Sequence, residues 1–122
     1  MNWLTVLIIA AVIVGIFLMK QAGQISARDA LAGIKNGALV IDVRTAGEFN
    51  SGHLEQAINI PLDEIATTVP LRVQDKQQVL LLHCASGMRS GMAKTKLQGL
   101  GYTNAFNLGS FARARKIVAG AP

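Results

Sequence analysis

Cysteine, proline, aromatic side chains and charge are all scarce in this 122-residue chain. Its single cysteine cannot form an intramolecular disulfide, so a small scaffold held together by disulfides is excluded. Only 16% of the residues are charged, whereas 51% are apolar. This composition also excludes a disordered chain, which needs low hydrophobicity and high net charge. The length excludes a multidomain enzyme, because it allows one short segment and one domain of about a hundred residues.

The apolar excess is concentrated in residues 1–20, where Lys20 is the only ionisable side chain. Within residues 3–19 the only members that are not apolar are Thr5 and Gly15. As a helix these residues would reach about 26 Å, close to the roughly 30 Å of a hydrocarbon core. We therefore predict an N-terminal membrane anchor over residues 1–22, with lipid contact through residues 3–19. Trp3 would lie at one interface, and Lys20 would extend to the other.

Basic residues near this segment indicate its orientation. Lys20, Arg28 and Lys35 follow the segment and none precedes it. The positive-inside rule therefore predicts a single-pass membrane protein whose domain, residues 25–120, is cytoplasmic. The alternative is a cleaved secretory signal followed by export of the domain. We favour the anchor, because no basic residue precedes the apolar run and no convincing cleavage site follows it.

The rest of the chain alternates between helical and strand patterns. Ser26 is expected to cap a helix that ends near Gly37. Helices are predicted at 26–37, 62–68, 89–100 and 111–119, and strands at 38–42, 57–60, 79–84 and 105–108. Residues 44–54 are expected to form a loop, and Pro70 is expected to end the second helix. Strands that alternate with helices predict an α/β fold, a parallel sheet with helices on both faces.

Charge is distributed unevenly along the chain. After Asp75 there are seven basic residues and no acidic one, whereas residues 20–75 carry five basic and seven acidic side chains. The basic half contains the only cysteine, which favours a small anionic substrate over nucleic acid. Arg113, Arg115 and Lys116 are expected to solvate a surface helix or to contact anionic lipid.

The cysteine lies where a buried strand ends and a helix is about to begin. Cys84 ends the apolar run, Gly87 permits a tight turn, and Arg89 begins the next helix. A helix N-terminus and a nearby guanidinium both favour the thiolate, the reactive form of cysteine. Backbone N–H groups in such a loop can also bind an anion. The spacing therefore places a nucleophile, an anion site and a cation in one loop. Composition alone favours the alternative, in which the cysteine is buried and only packs in the core.

Residues 25–120 resemble the rhodanese family of single-domain sulfurtransferases. The active-site loop of that family is similar to Cys-x-x-Gly-x-Arg-Ser, matched here by Cys84, Gly87, Arg89 and Ser90. Two further family signatures are similar to VIDVRTAGEFNSGHLEQAINIPL at 40–62 and LQGLGYTNAFNLGS at 97–110. The chain departs from the family at 109–113, where Gly-Ser-Phe-Ala-Arg replaces a double glycine followed by a tryptophan. A different pocket shape is therefore expected.

The resemblance implies a mechanism based on Cys84. As a thiolate, Cys84 would take sulfur from a small anionic donor such as thiosulfate and become a persulfide. An acceptor, such as cyanide or a protein thiol, would then remove that sulfur. The loop residues expected to bind the persulfide and the anion are Ala85, Ser86, Gly87, Met88 and Arg89. Arg89 would stabilise negative charge or anchor the loop. The alternative is a membrane-tethered persulfide carrier without thiosulfate turnover.

Several neighbouring residues are expected to be structural. Asp42, Arg44 and Ser90 are predicted to support the loop, with Asp42 and Arg44 bracing the edge of the sheet together with Glu48. His53 is expected to be structural, and His83 cannot pair with Cys84, because adjacent strand residues point to opposite faces. Dual-specificity phosphatases of the same fold have five residues between the loop cysteine and arginine, which makes room for phosphate. Only four residues separate Cys84 from Arg89, and this shorter loop favours sulfur transfer over phosphate chemistry. No metal site is expected, since two histidines and one cysteine lack zinc-ligand spacing. The family resemblance also implies that no organic cofactor is required.

Overall fold

The structure is a computed structural model that describes residues 2–120, except for the side chains of residue 17 and residues 19–22. Its centre is a parallel sheet of four strands in the order β2-β1-β3-β4. The strands are β1 (Leu39–Asp42), β2 (Ala57–Asn59), β3 (Leu80–Cys84) and β4 (Ala105–Ser110). The helices are α1 (Trp3–Ala22), α2 (Ala27–Lys35), α3 (Ala46–Ser51), α4 (Ile65–Arg72), α5 (Met88–Gly99) and α6 (Phe111–Ala119). A 3-10 turn (Leu62–Glu64) precedes α4.

Helices cover both faces of the sheet. On one face, Leu80 and Leu82 of β3 pack in a core that includes residues of α4 and α5. On the other face, Leu81 packs in a second core with residues of α2 and α6. Neighbouring strand residues point to opposite faces, so a strand that is buried on both faces must be continuously apolar. The predicted α/β architecture is therefore confirmed.

The first helix of the domain begins and ends as its sequence predicts. Ser26 Oγ accepts a hydrogen bond from Asp29 N at 3.1 Å, which satisfies one of the free N–H groups at the start of α2. Gly37 follows the last turn with a φ of +93°, a left-handed conformation that glycine adopts without a steric penalty. Both signals are local, so the sequence alone is sufficient to place them.

Two local predictions are wrong. Residues 44–54 contain α3, which begins with a capping box in which Thr45 Oγ1 accepts from Glu48 N and Glu48 accepts from Thr45 N. The spacing Thr-x-x-Glu is the sequence signal for this helix start.

Helix α4 continues past Pro70, where the sequence predicted its end, to Arg72. The ring removes only one backbone donor, and Val73 N still bonds to Val69 O at 2.7 Å.

Helix α1 covers most of the predicted membrane anchor, residues 1–22. In the part of the chain that the structure describes, no helix is both long and apolar enough to cross a membrane. The span, the lipid contact through residues 3–19 and the orientation derived from them are therefore not supported. The Lys20 side chain lies outside the described residues.

Tyr102 connects the segment after α5 to the end of α4. Its side chain is fully buried, and its hydroxyl donates to the backbone carbonyl of Val73, the C-cap residue of α4. Val73 is itself a buried residue of the core. The phenol therefore provides both apolar packing and the hydrogen bond for a backbone acceptor at the edge of this core.

We predict that Tyr102→Phe lowers the free energy of unfolding by about 1–3 kcal/mol, because the Val73 carbonyl loses its donor in a buried position. Urea denaturation should show a lower midpoint at an unchanged slope. Leu71→Ala is the control, since the Leu71 side chain is 80% exposed, and it should change stability by no more than about 0.5 kcal/mol. An unchanged midpoint in Tyr102→Phe would show that this hydrogen bond contributes nothing to stability.

Candidate functional site

Strand β3 places Cys84 at the carboxyl end of the sheet, where residues 85–87 lead into α5. The Cys84 side chain is fully buried. Its Sγ accepts hydrogen bonds from Gly87 N at 3.0 Å and from Ser90 N at 3.4 Å, and the Ser90 hydroxyl lies 3.5 Å away. Gly87 has a φ of +95°, which lets the backbone turn tightly around the sulfur. The loop is therefore folded around Sγ, with its N–H groups directed inward.

The pKa of the Cys84 thiol lies below its ordinary value. Burial is the largest single influence and raises the pKa, because it disfavours the charged thiolate. Hydrogen bonds from the Ser90 hydroxyl and from the N–H groups of Ser90, Gly87 and Ser86 lower the pKa, and together they outweigh burial. The N-terminus of α5 adds positive potential at the same place. This environment favours the nucleophilic form of the cysteine.

Arg89, the cation of the loop, is bound by α3. Its guanidinium donates to both oxygens of Glu48, with Nη1–Oε1 at 2.7 Å and Nη2–Oε2 at 3.0 Å. The hydrogen bonds from Arg89, reinforced by those from Thr45, lower the pKa of Glu48 to about 2. Of the two roles expected for Arg89, these contacts favour the loop anchor, because both arms of the guanidinium that face α3 are occupied by a carboxylate.

A second ion pair lies at the end of β1. Arg44 forms a bidentate pair with Asp42, in which Nη2 and Oδ2 are 2.7 Å apart, and it also donates to Gly52 O at 2.7 Å. The ring of Phe111, in the segment that departs from the rhodanese pattern, lies over the guanidinium, with its centroid 4.5 Å from Cζ. Asp42 and Arg44 thus brace this end of the sheet, whereas Glu48, expected to join them, binds Arg89 instead.

His83 lies on the opposite face of β3 from Cys84, as strand alternation predicts. Its imidazole is fully buried, with the ring centroid 5.8 Å from that of Phe111. His83 Nε2 is 3.7 Å from Asp42 Oδ2, and burial lowers the pKa of His83. The imidazole therefore faces the ion pair of β1, and its position does not suit a general base for Cys84.

The remaining predicted residues form the rim of the loop or lie apart from it. Ala85, Ser86 and Met88 are exposed beside Cys84, and Gly87 and Ser90 are buried. The other predicted structural histidine, His53, stacks on Phe49 with ring centroids 3.8 Å apart.

Sequence reasoning missed Asn107 and the partnership of Glu48 with Arg89. Asn107 accepts from the Ser90 hydroxyl at 2.7 Å and donates to Gly87 O at 3.0 Å. A polar residue inside the apolar run of β4 was the available signal for Asn107. The capping box was the signal that orders Glu48, although nothing local indicates its pairing with a residue 41 positions away.

We predict that the Glu48 carboxyl titrates near pH 2 and that Arg89→Gln returns its midpoint towards the ordinary value, because the main cause of the low pKa is removed. Since the pKa is lowered by folding, the pair stabilises the protein above about pH 4.5 and loses this effect as the pH falls towards 2. Carboxyl carbon NMR measures the midpoint. Lys96→Gln, which removes a charge elsewhere on α5, is the control. A midpoint that does not move in Arg89→Gln would contradict the pairing.

The chain is similar in sequence and in fold to known proteins. The chain matches the family model described as Rhodanese-like domain over residues 26–113. The thiosulfate sulfurtransferase PspE of Escherichia coli (strain K12) is 39% identical over 69 residues, which span 57% of this chain and 66% of that protein. A tRNA uridine(34) hydroxylase of Sodalis glossinidius is 31% identical over 75 residues, which span 58% of this chain and only 21% of that protein. The match therefore covers just under two thirds of the first relative and about a fifth of the second.

Solved structures agree with the family match. A structure titled rhodanese with anions from E. coli has a TM-score of 0.61 at 35% identity, covering 63% of this chain and 91% of that one. The human single-domain sulfurtransferase TSTD1 has a TM-score of 0.66 over 77% of this chain and 96% of its own, and at 24% identity it shows the fold alone. By its family match and by the cysteine loop at the end of β3, the chain belongs to the rhodanese-like domain family.

Proposed function

We propose that this protein is a sulfurtransferase that carries a transferable sulfur on Cys84. The position of Sγ carries the proposal: it lies at the end of a buried strand, and the N–H groups of Gly87 and Ser90 are directed at it from 3.0 and 3.4 Å. The same donors can stabilise the thiolate and, after sulfur uptake, the negative charge of a persulfide. The similarity to a thiosulfate sulfurtransferase, PspE, supports this activity.

The proposed reaction is two displacements at sulfur. The Cys84 thiolate attacks the outer sulfur of thiosulfate, the S–S bond of the donor breaks, and sulfite leaves with the bonding electron pair. The nucleophile of the acceptor, cyanide or a thiolate, then attacks the outer sulfur of the persulfide. The bond to Sγ breaks, the Cys84 thiolate is restored, and thiocyanate or a new persulfide leaves. Each step exchanges one bond to sulfur for another, so no external oxidant or reductant is consumed.

Backbone dipoles are the main binding groups for the anionic donor. The charge of Arg89 is paired with Glu48, and that of Arg44 with Asp42. The N–H groups around Cys84 and the N-terminus of α5 therefore supply most of the positive potential at the sulfur. A structure titled rhodanese with anions, which is 35% identical to this chain, supports the proposal that the chain binds an anion.

The acceptor reaches the persulfide across the exposed rim of the loop. Met88 is 63% exposed and Met92 is 55% exposed, and the two side chains lie one turn apart on α5. Exposed methionines form adaptable surfaces, which suits contact with a protein that presents a thiol. The alternative function, a persulfide carrier that passes sulfur to a partner without thiosulfate turnover, uses the same cysteine and the same rim.

A thiocyanate assay with thiosulfate and cyanide tests the proposal. We expect the native chain to turn over and Cys84→Ser to lose at least about a thousandfold in rate, because the nucleophile is removed. Leu71→Ala, altered at an exposed position of α4, should keep the native rate. In parallel, intact mass after incubation with thiosulfate should increase by about 32 Da, one sulfur atom, in the native chain and not in Cys84→Ser.

The two readouts separate the candidate functions. Turnover that depends on Cys84 supports the enzyme. A sulfur adduct on Cys84 without turnover supports the carrier and rejects the enzyme. Neither turnover nor adduct would reject sulfur transfer by this chain.

A further inference from the structure

Asn107 lies at the centre of the hydrogen bonds that join β4 to the cysteine loop. The residue is only 5% exposed. Its Oδ1 accepts from Gly109 N at 2.9 Å and from Ser90 Oγ at 2.7 Å, and its Nδ2 donates to Gly87 O at 3.0 Å. These partners determine the orientation of the amide, because only its oxygen can accept from an N–H group and only its nitrogen can donate to a carbonyl.

The Ser90 hydroxyl has one hydrogen and more than one acceptor within reach. Its Oγ is 2.7 Å from Asn107 Oδ1 but 3.5 Å from Cys84 Sγ and 3.5 Å from Gly109 O. Because Asn107 presents an oxygen to Ser90, the hydroxyl must be the donor in their contact. While the hydroxyl donates to Asn107, it does not donate to the sulfur.

We propose that Asn107 is a positioning residue that competes with Cys84 for the single hydroxyl proton of Ser90. The inference rests on the proposed function in one respect, that Cys84 is the nucleophile. A thiolate attracts the hydroxyl hydrogen by its charge, whereas a neutral thiol leaves the shorter hydrogen bond to Asn107 in place. Asn107 therefore limits the stabilisation of the thiolate. A less stabilised thiolate is more nucleophilic, since intrinsic nucleophilicity falls as the pKa of a thiol falls.

The charged environment of Cys84 does not change when Ser90 or Asn107 is replaced by alanine. The titratable and charged side chains around the loop come from β1 and the residues after it, from β3 and from the helices α3, α5 and α6. They are Asp42, Arg44, Glu48, His83, Arg89, Lys94 and Arg113. Both substitutions are neutral and leave these groups in place. A shift in the ionisation of Cys84 in these variants therefore reports hydrogen bonding to the sulfur.

A double-mutant cycle on the full chain, with Ser90→Ala, Asn107→Ala and the double variant, tests the proposal. Ultraviolet absorbance of the thiolate, titrated with pH, reports Cys84 alone, because the chain has a single cysteine. A Cys84→Ala chain supplies the baseline. We expect Asn107→Ala to lower the pKa of Cys84 by up to about one unit when Ser90 is present, because the hydroxyl then donates fully to the sulfur. In the Ser90→Ala background, Asn107→Ala should cause no such decrease.

Two results would overturn the proposal. If Asn107→Ala raises the pKa of Cys84 equally in both backgrounds, Asn107 acts only by holding Gly87. If it leaves the pKa unchanged in both, the competition for the proton does not exist. The matched control is Gln98→Ala, because the Gln98 amide donates to Ala105 O on the same strand and not to the loop; it should leave the titration unchanged.

A second variant covers the case in which Asn107→Ala does not fold, as judged by circular dichroism. In Asn107→Ser the shorter side chain no longer reaches Ser90 but can still accept from Gly109 N, two residues ahead. The same decrease in the pKa of Cys84, dependent on Ser90, is expected, and its absence would reject the proposal. The titration uses no sulfur donor. A negative thiocyanate assay therefore rejects the transfer activity without affecting this result.

Discussion

The parallel pairing of β3 between β1 and β4 is the constraint on which the site depends. Parallel strands end at the same edge of a sheet, so this pairing brings Asp42, Cys84 and Ser110 to one place from three separate parts of the chain. The register shifts between Leu82 and His83, which pair with Asn107 and Gly109, so β4 carries one extra residue there. From this irregular position β4 provides both the polar contacts of Asn107 and the backbone beside the loop.

The electrostatics of the site follow from this arrangement. Two cations near the loop each have their own carboxylate: Arg89 is paired with Glu48, and Arg44 with Asp42. Burial of Cys84 disfavours the thiolate, and the backbone N–H groups and the Ser90 hydroxyl offset that cost. The loop therefore stabilises negative charge mainly through fixed dipoles. Such dipoles need little reorganisation when charge moves from the thiolate to an outer sulfur.

Features governed by short sequence separation could be predicted. The cap at Ser26, the turn at Gly37 and the buried strand that ends at Cys84 are determined by neighbouring residues, and each was placed correctly. Helix α3, where a loop was predicted, also begins at a local signal, the capping box of Thr45 and Glu48. Helix α4 was predicted to end at Pro70 but continues to Arg72, because the proline removes only one backbone hydrogen-bond donor from the helix. The predicted membrane span is not supported by the described residues.

The sequence by itself determined the order of the four strands, the loop from Cys84 to Ser90 and the family resemblance, because these depend on residue types at short, fixed spacing. The tertiary structure alone decided which side chains meet that loop. Arg89 pairs with the carboxylate of Glu48, 41 residues earlier in the chain. The Ser90 hydroxyl donates to Asn107, 17 residues later. Such partners are determined by strand order, by register and by where α3 and α5 lie beside the sheet. The physical reason is that a hydrogen bond depends on distances of about 3 Å in space and not on separation along the chain.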